Sequence, residues 1–565
     1  MFHKKRGPDF RFGCTDYEGL KNEVNAQIAQ VLRRNPYEMV SSQKELESNM
    51  KFKRDLRKAI KSGVVGDYNA KVFVCDFIKE LMVVKLHVTE EQLNLVMLFW
   101  NPYILSVKDK FYILLYHYEK LYGEAGFQNL MAYYQFDRPK RDEDGELFYE
   151  VNELDIEEAY LEEGAIMLSY VDKLNIVAQK IYEDTKGNGP VDRLFYLPID
   201  GISGGVSGSA FTGLEFLTGE EQVYSYESIW IFYQGKSIYF SFLKFDSMKE
   251  FVRICKNIYR YQSPGQLSQM KGYIVNEMAD GSRVAVARPP FCESWVFFIR
   301  KFTSVCRKEM ADLLVDQNKH LPIELIRWCI KGCQNIGITG EQGSGKTTLL
   351  MSMISFICPS YNLRIQEIAF ELHLRKLYPK RNIVSFRETS SISGQQGLDF
   401  QKKTDGTVNI LGEVASNDVC SWMVQMAQVA SSFTLFTHHA KTTEDLLYSF
   451  RNALLMEGGF KEERIALEQV IHVIQFDVHM RKAEDGHRYI ERITEVRKKE
   501  NDYSGASENM FETRDLLVYS EDGYRVTNEL SETAQRRILS VLGLEEKQAF
   551  LEFLRKWRDE VGQSC

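Results

Sequence analysis

Gly340-Glu341-Gln342-Gly343-Ser344-Gly345-Lys346-Thr347 lies between the apolar run Asn335-Ile336-Gly337-Ile338-Thr339 and a second apolar run, Thr348 to Ile357, of helical spacing. A strand, a glycine-rich turn closing on Lys-Thr, and a helix is the order in which a chain can wrap a phosphate chain. Gly340, Gly343 and Gly345 let successive N–H groups, through Ser344 and on to Thr348, face the phosphates, and the positive end of the helix adds to the attraction. Lys346 is placed to reach the β- and γ-phosphates and the Thr347 hydroxyl to hold a magnesium ion, so ATP with Mg2+ is the expected ligand pair.

Downstream of this loop, apolar strand candidates alternate with helices: Ile336 to Thr339, Leu363 to Ile368, Ile383 to Phe386, Val408 to Val414 and Phe433 to Thr437. Alternation of this kind predicts a parallel sheet covered on both faces, an α/β fold. The strand Val408-Asn409-Ile410-Leu411 ends in Gly412-Glu413, which places a carboxylate where it can orient magnesium or water. Glu367 and Glu371 stand at the end of Leu363-Arg364-Ile365-Gln366, and either is a candidate base for an attacking water; a charge exposed at a helix start is the competing account of each. Thr437-His438-His439-Ala440 brings a histidine to the same sheet edge, as a γ-phosphate sensor or a structural hydrogen bond. Neighbouring histidines point in different directions, which argues against a shared metal. A hairpin follows, with arms near Val470 to Met480 and Arg488 to Val496 and a turn at Asp485-Gly486; then a polar linker, Asn501 to Arg514, and a helical tail, Ser531 to Val561.

Upstream, the glycine- and serine-rich run Asp200 to Gly213 opens a β-rich texture. Ser228 to Tyr233 and Ser237 to Phe242 flank a turn at Gln234-Gly235-Lys236, Met248 to Tyr259 is helical, and Asp280-Gly281-Ser282 turns between paired strands. From Thr89 to Glu183 apolar residues recur at helical spacing, broken by a polar, acidic stretch from Arg138 to Glu146. Residues 1 to about 90 carry no chemical motif. With 565 residues, 44% of them hydrophobic, the chain can bury several cores, and the expected division is 1–185, 186–305, 320–500 and 515–565. The net charge of −8, from 71 basic and 79 acidic residues, gives no general pull toward nucleic acid or an anionic membrane. The basic start MFHKKRGPDF is followed by no apolar segment, and Leu93 to Val107 falls short of the ~20 apolar residues that span a bilayer, so a cytoplasmic location is expected. Ten cysteines without paired spacing read as reduced core thiols.

Taken in order, these motifs resemble the type II and type IV secretion ATPase superfamily, most closely its tight-adherence pilus and conjugation branch, over about Gly187 to Val496. The resemblance begins with Gly187-Asn188-Gly189-Pro190-Val191-Asp192-Arg193-Leu194 and continues through Asp280 to Val284, Pro289-Pro290 and Ile299 to Phe302. It then takes in the Walker A loop, an acidic box at Arg364 to Leu372, a Walker B element at Ile410 to Val414, the histidine box with Arg451 downstream, and a final hairpin in Asp485 to Arg488 and Ile493 to Val496. The resemblance implies a RecA-like P-loop NTPase domain preceded by an α+β N-terminal domain and a helical extension. It further implies a homo-hexamer that hydrolyses ATP at the inner face of the cytoplasmic membrane, against inner-membrane platform proteins. By motif, Lys346 and Thr347 bind phosphate and magnesium, Glu413 is the Walker B carboxylate, His439 is the box histidine, and Glu371, with Glu367 behind it, is the catalytic glutamate. Arg283 and Arg300 are the arginines of the N-terminal domain that would neutralise phosphate charge.

Three departures stand out. The acidic box reads Ile368-Ala369-Phe370-Glu371-Leu372 instead of carrying an Ile-Glu-Asp run, Ala415 replaces the arginine after Gly-Glu-Val, and Ala430-Ser431-Ser432 replaces Thr-Gly-His. They motivate a second reading, a nucleotide-gated scaffold with slow hydrolysis. A third, a DNA translocase, is disfavoured by the acidic balance and by the lack of a basic, aromatic-rich segment; no sequence-specific nucleic-acid binding is expected.

Overall fold

The computed structural model describes residues 16–35, 43–101, 103–141, 145–164, 166–209, 224–302, 309–367, 370–389, 392–429, 431–483, 486–499, 510–521 and 523–564. Pro102, the end of the glycine- and serine-rich run, Ile368-Ala369, Ala430, Asp485 and residues 501–509 of the expected linker lie outside them. The chain forms two compact units, Met1–Ser304 and Val305–Cys565.

In the first unit a seven-stranded sheet runs in the order Glu150–Val151, Lys236–Phe240, Ile229–Tyr233, Gly201–Gly204, Val296–Arg300, Arg283–Ala287, Tyr273–Glu277. All neighbours are antiparallel except the first pair. The hairpin expected at Gln234-Gly235 is present, both residues having positive φ, the geometry that matches strand twist. Helices between Tyr17 and Thr185 share one continuous apolar core with this sheet, from Leu20 through Tyr112 and Val177 to Ile299. The helical residues ahead of the sheet are therefore packed on it. Among the described residues no helix is long and apolar enough to cross a membrane.

The second unit holds a nine-stranded sheet, ordered Ile383–Arg387, Leu363–Glu367, Val408–Leu411, Phe433–Thr437, Ile336–Gly340, Phe476–Lys482, Arg488–Lys498, Phe511–Ser520, Gly523–Val526. The first six strands are parallel and the last three antiparallel. Alternate residues of the parallel strands enter different cores: Leu435 packs with Leu325, Leu350 and Phe550 on one face, and Phe436 with Trp422, Leu446 and Phe450 on the other. Burial on both faces accounts for apolar residues on either face of these strands, beside the buried polar residues Arg364, Gln366 and Asn409. This is a RecA-like P-loop NTPase fold.

The structure moves two boundaries. Val470 to Val473 end the helix Glu463–Val473 and are not part of the hairpin arm, which starts at Phe476. Phe511–Ser520, overlapping the expected linker, is a strand that pairs with Arg488–Lys498. The C-terminal helices Glu532–Val541 and Leu544–Ser564 are docked: Trp328 meets Phe550 at 5.3 Å between ring centres, Lys331 pairs with Glu546 at 2.5 Å, and the Trp557 indole donates to Asn528 O at 3.0 Å.

Candidate active site

The strand Ile336–Gly340 is buried throughout and flanked on both sides, so the loop that follows emerges from the middle of the sheet. Gly340, Gly343 and Gly345 all have positive φ, at 132°, 78° and 97°. At Gly340 there is a second constraint, because a Cβ would stand 2.1 Å from the Met480 carbonyl oxygen of the adjacent strand. Gly340→Ala is therefore expected to cost about 2–4 kcal/mol of stability from strain and overlap together, read as a shift in the urea midpoint. An unshifted midpoint would mean that the neighbouring strand yields.

The helix Lys346–Met353 begins without a side-chain cap, with Gly345 in the left-handed conformation ahead of it. The amides of a helix N-terminus and an ammonium group together form a donor set that fits phosphate oxygens. The Lys346 side chain is buried and donates to Gly340 O at 2.9 Å and Glu341 O at 2.7 Å. Thr347 and Thr348 are half-buried on the same turn, and Ser344 donates its hydroxyl to Glu341 O at 2.9 Å.

His439 joins the loop to Glu413. Its Nδ1 is 3.3 Å from Lys346 Nζ, and its Nε2 is 3.3 Å from Glu413 Oε1. An ammonium only donates, so Nδ1 is assigned as acceptor and Nε2–H as donor to the carboxylate. Three strand ends make this meeting possible: Thr437 donates its hydroxyl to Gly412 O at 2.6 Å, Val414 N donates to Thr437 O at 2.9 Å, and His438 N donates to Ile338 O at 3.0 Å. The two histidines point apart. His438 is buried, with Nδ1 2.7 Å from Val414 O and Nε2 3.2 Å from Ser449 Oγ, and burial holds its pKa below the usual imidazole value.

Glu367 ends the strand beside Val408–Leu411, its Cγ 3.3 Å from where a Cβ on Gly412 would be. Its Oε2 accepts from the amides of Glu371 and Leu372, each at 2.8 Å, so this carboxylate folds the turn that carries Glu371. Burial pushes its pKa up to about 7, with the two amides and the Ser385 hydroxyl pulling it back only in part and Glu371 adding to the rise. Between the ordinary value of 4.5 and about 7 the folded chain holds this proton while the unfolded chain releases it. Stability from this group is therefore greatest in acid and is lost as pH rises through that window, by at most about 1.4 kcal/mol per pH unit. Glu367→Gln should remove that contribution, so the gap in urea midpoint between variant and parent changes from about pH 5 to about pH 8; a constant gap would count against it.

Arg283 and Arg300 belong to the other unit, on neighbouring strands and directly opposite each other, Arg283 half-buried and Arg300 exposed. Arg451 lies on the helix Thr443–Met456, where its guanidinium rests 4.9 Å from the Tyr448 ring centre and 3.6 Å from Glu463. Two contributors are given no site role by any motif. Arg488, past the hairpin turn, donates from Nε to Gly343 O at 2.8 Å and lies over Gly345. Asp477, on the strand next to the phosphate loop, hydrogen-bonds Thr339 just ahead of the loop. Strand pairing across more than a hundred residues brings both there, and no local spacing signals it.

No protein-family model matches this sequence, and no curated protein does. Among solved structures the chain is similar to the VirB11 ATPase from the Brucella suis type IV secretion system, at 17% identity over 52% of this chain and 88% of that one, TM-score 0.28. It is similar to the Legionella pneumophila ATPase DotB, at 14% identity over 63% and 84%, TM-score 0.37. A third is the pilus retraction motor PilT with bound ADP, at 14% identity over 54% and 80%, TM-score 0.38.

Proposed function

We propose that this chain hydrolyses ATP and, as a homo-hexamer at the inner face of the cytoplasmic membrane, powers a secretion, pilus-assembly or conjugative-transfer apparatus. The observation that carries the catalytic part is the chain Lys346–His439–Glu413 laid against the glycine cradle. Phosphate loops need a cation that can leave its resting acceptors for an anion, and Lys346 rests on two loop carbonyls that a phosphate would outcompete. Gly340, Gly343, Ser344, Gly345 and Thr348 would line the phosphates, Thr347 and Glu413 would hold magnesium, and Glu371 would orient the attacking water. Magnesium, when bound, would supply neutralisation of phosphate charge. Arg283 and Arg300 are the arginines that would neutralise phosphate charge. In this reading 186–305 and 320–500 are the working domains, 515–565 is the tail, and 1–185 meets the inner-membrane platform proteins.

A nucleotide-gated scaffold with slow turnover is the second reading, favoured by Ala415 and by the engagement of Glu367 with backbone amides. Steady-state hydrolysis with and without magnesium, with mass followed in solution, separates the two. Magnesium-dependent turnover that rises as hexamers form supports the motor. Tight ATP binding and assembly without turnover supports the scaffold, and stimulation by DNA would bring back the translocase.

A further inference from the structure

We propose that Asp477 is a positioning residue for the ATPase site: its carboxylate bridges the strand that launches the phosphate loop to the segment that carries His439. The proposal rests on the reading of Lys346, His439 and Glu413 as that site. Asp477 is fully buried on the strand Phe476–Lys482, the parallel neighbour of Ile336–Gly340. Its Oδ1 accepts from the Thr339 hydroxyl at 2.6 Å, and its Oδ2 from the Thr443 hydroxyl at 2.7 Å. Thr339 immediately precedes Gly340, and Thr443 opens the helix Thr443–Met456, four residues after His439. One rigid carboxylate therefore spans the two backbones whose separation decides whether His439 can lie between Lys346 and Glu413.

The hydrogen-bond directions close without conflict. Thr339 has one proton to give and gives it to Asp477, so His479 Nδ1, 2.8 Å from the same hydroxyl, is the donor to it. Burial lowers the His479 pKa to about 4, in keeping with a neutral ring, and raises that of Asp477 to about 6, its two threonine partners pulling it back. A carboxylate buried with hydroxyls for direct partners is costly to keep, and a plain hydrogen-bonding amide would hold a static fold at less expense. What the carboxylate adds is two equivalent acceptors at fixed separation, each forming a stronger, shorter bond than a neutral group forms.

The test uses the full-length chain. Asp477→Asn, which can accept through only one of the two atoms, is expected to lower kcat at least about tenfold while the KM for MgATP stays within about threefold. In a His439→Ala background the same change should alter kcat less than about twofold, because its effect travels through His439. Full additivity, or a KM effect with kcat unchanged, would overturn the proposal. A second readout does not need turnover: in 15N-histidine spectra of the nucleotide-bound protein, Asp477→Asn should shift the His439 ring nitrogens, and an unmoved His439 overturns the proposal by itself. Thr443→Val, isosteric and apolar, should repeat both results if the asparagine variant folds poorly; a Thr443→Val protein with parental kcat and parental His439 signals would sink the idea. A parent protein that hydrolyses no ATP counts against the ATPase reading, and the His439 shift then decides the bridge separately.

Discussion

Lys346→Ala is expected to weaken MgATP binding by at least about a hundredfold, the equivalent of about 3 kcal/mol. The size follows from what the ammonium does in both states. In the structure it is buried and held by Gly340 O and Glu341 O. Around a nucleotide it would exchange those neutral acceptors for phosphate oxygens, and charge-assisted bonds of that kind contribute about 1.5–3 kcal/mol each. Alanine also leaves two loop carbonyls and His439 Nδ1 without their donor, so the loop loses internal restraint. Titration calorimetry reads the affinity directly, and circular dichroism checks that the sheet survives. An affinity within tenfold of the parent would show that the nucleotide is held elsewhere.

The second large effect is expected at Glu371. With glutamine there, kcat should fall by about 10²–10³-fold while ATP remains bound, the range associated with losing a positioned general base. Glu367→Gln should be milder in turnover, since one of its oxygens is committed to the Glu371 and Leu372 amides and an amide oxygen can accept the same bonds. Single-turnover measurements with both variants distinguish the roles. If Glu367→Gln stops hydrolysis and Glu371→Gln does not, the two carboxylates exchange assignments, and if both variants turn over normally the base lies outside the acidic box.

Much of the second unit is legible in the sequence for a physical reason. Ile336–Gly340 and Phe433–Thr437 are strands buried on both faces whose apolar residues stand out against the helices between them, and Leu363–Glu367, equally buried, is marked by Leu363 and Ile365 alternating with Arg364 and Gln366. Phe511–Ser520 is the opposite case: Glu512, Arg514 and Asp515 interrupt its apolar residues, and it reads as a linker because its partner, Arg488–Lys498, cannot be inferred locally. The meeting of Lys346, His439 and Glu413 is foreseeable once their strands are placed side by side. Arg488 and Asp477 are not, because each acts through a register that only the folded sheet fixes. In the first unit the helices are visible by their spacing, but their shared core with the sheet depends on contacts such as Phe111 against Phe240, far apart in the chain.

The central placement of the Ile336–Gly340 strand also has a consequence for how the protein is made. Its two neighbours are Phe433–Thr437 and Phe476–Lys482, both synthesised long after it. A nascent chain that has just exposed Gly340 to Thr347 therefore has the motif without either flank, without the Met480 carbonyl against Gly340 and without the Asp477 bridge to Thr339. Closing such distant pairings is slow relative to local helix formation. The loop's supporting contacts are accordingly unfinished while the ribosome is still translating its surroundings, and they close only once residues near 480 have emerged.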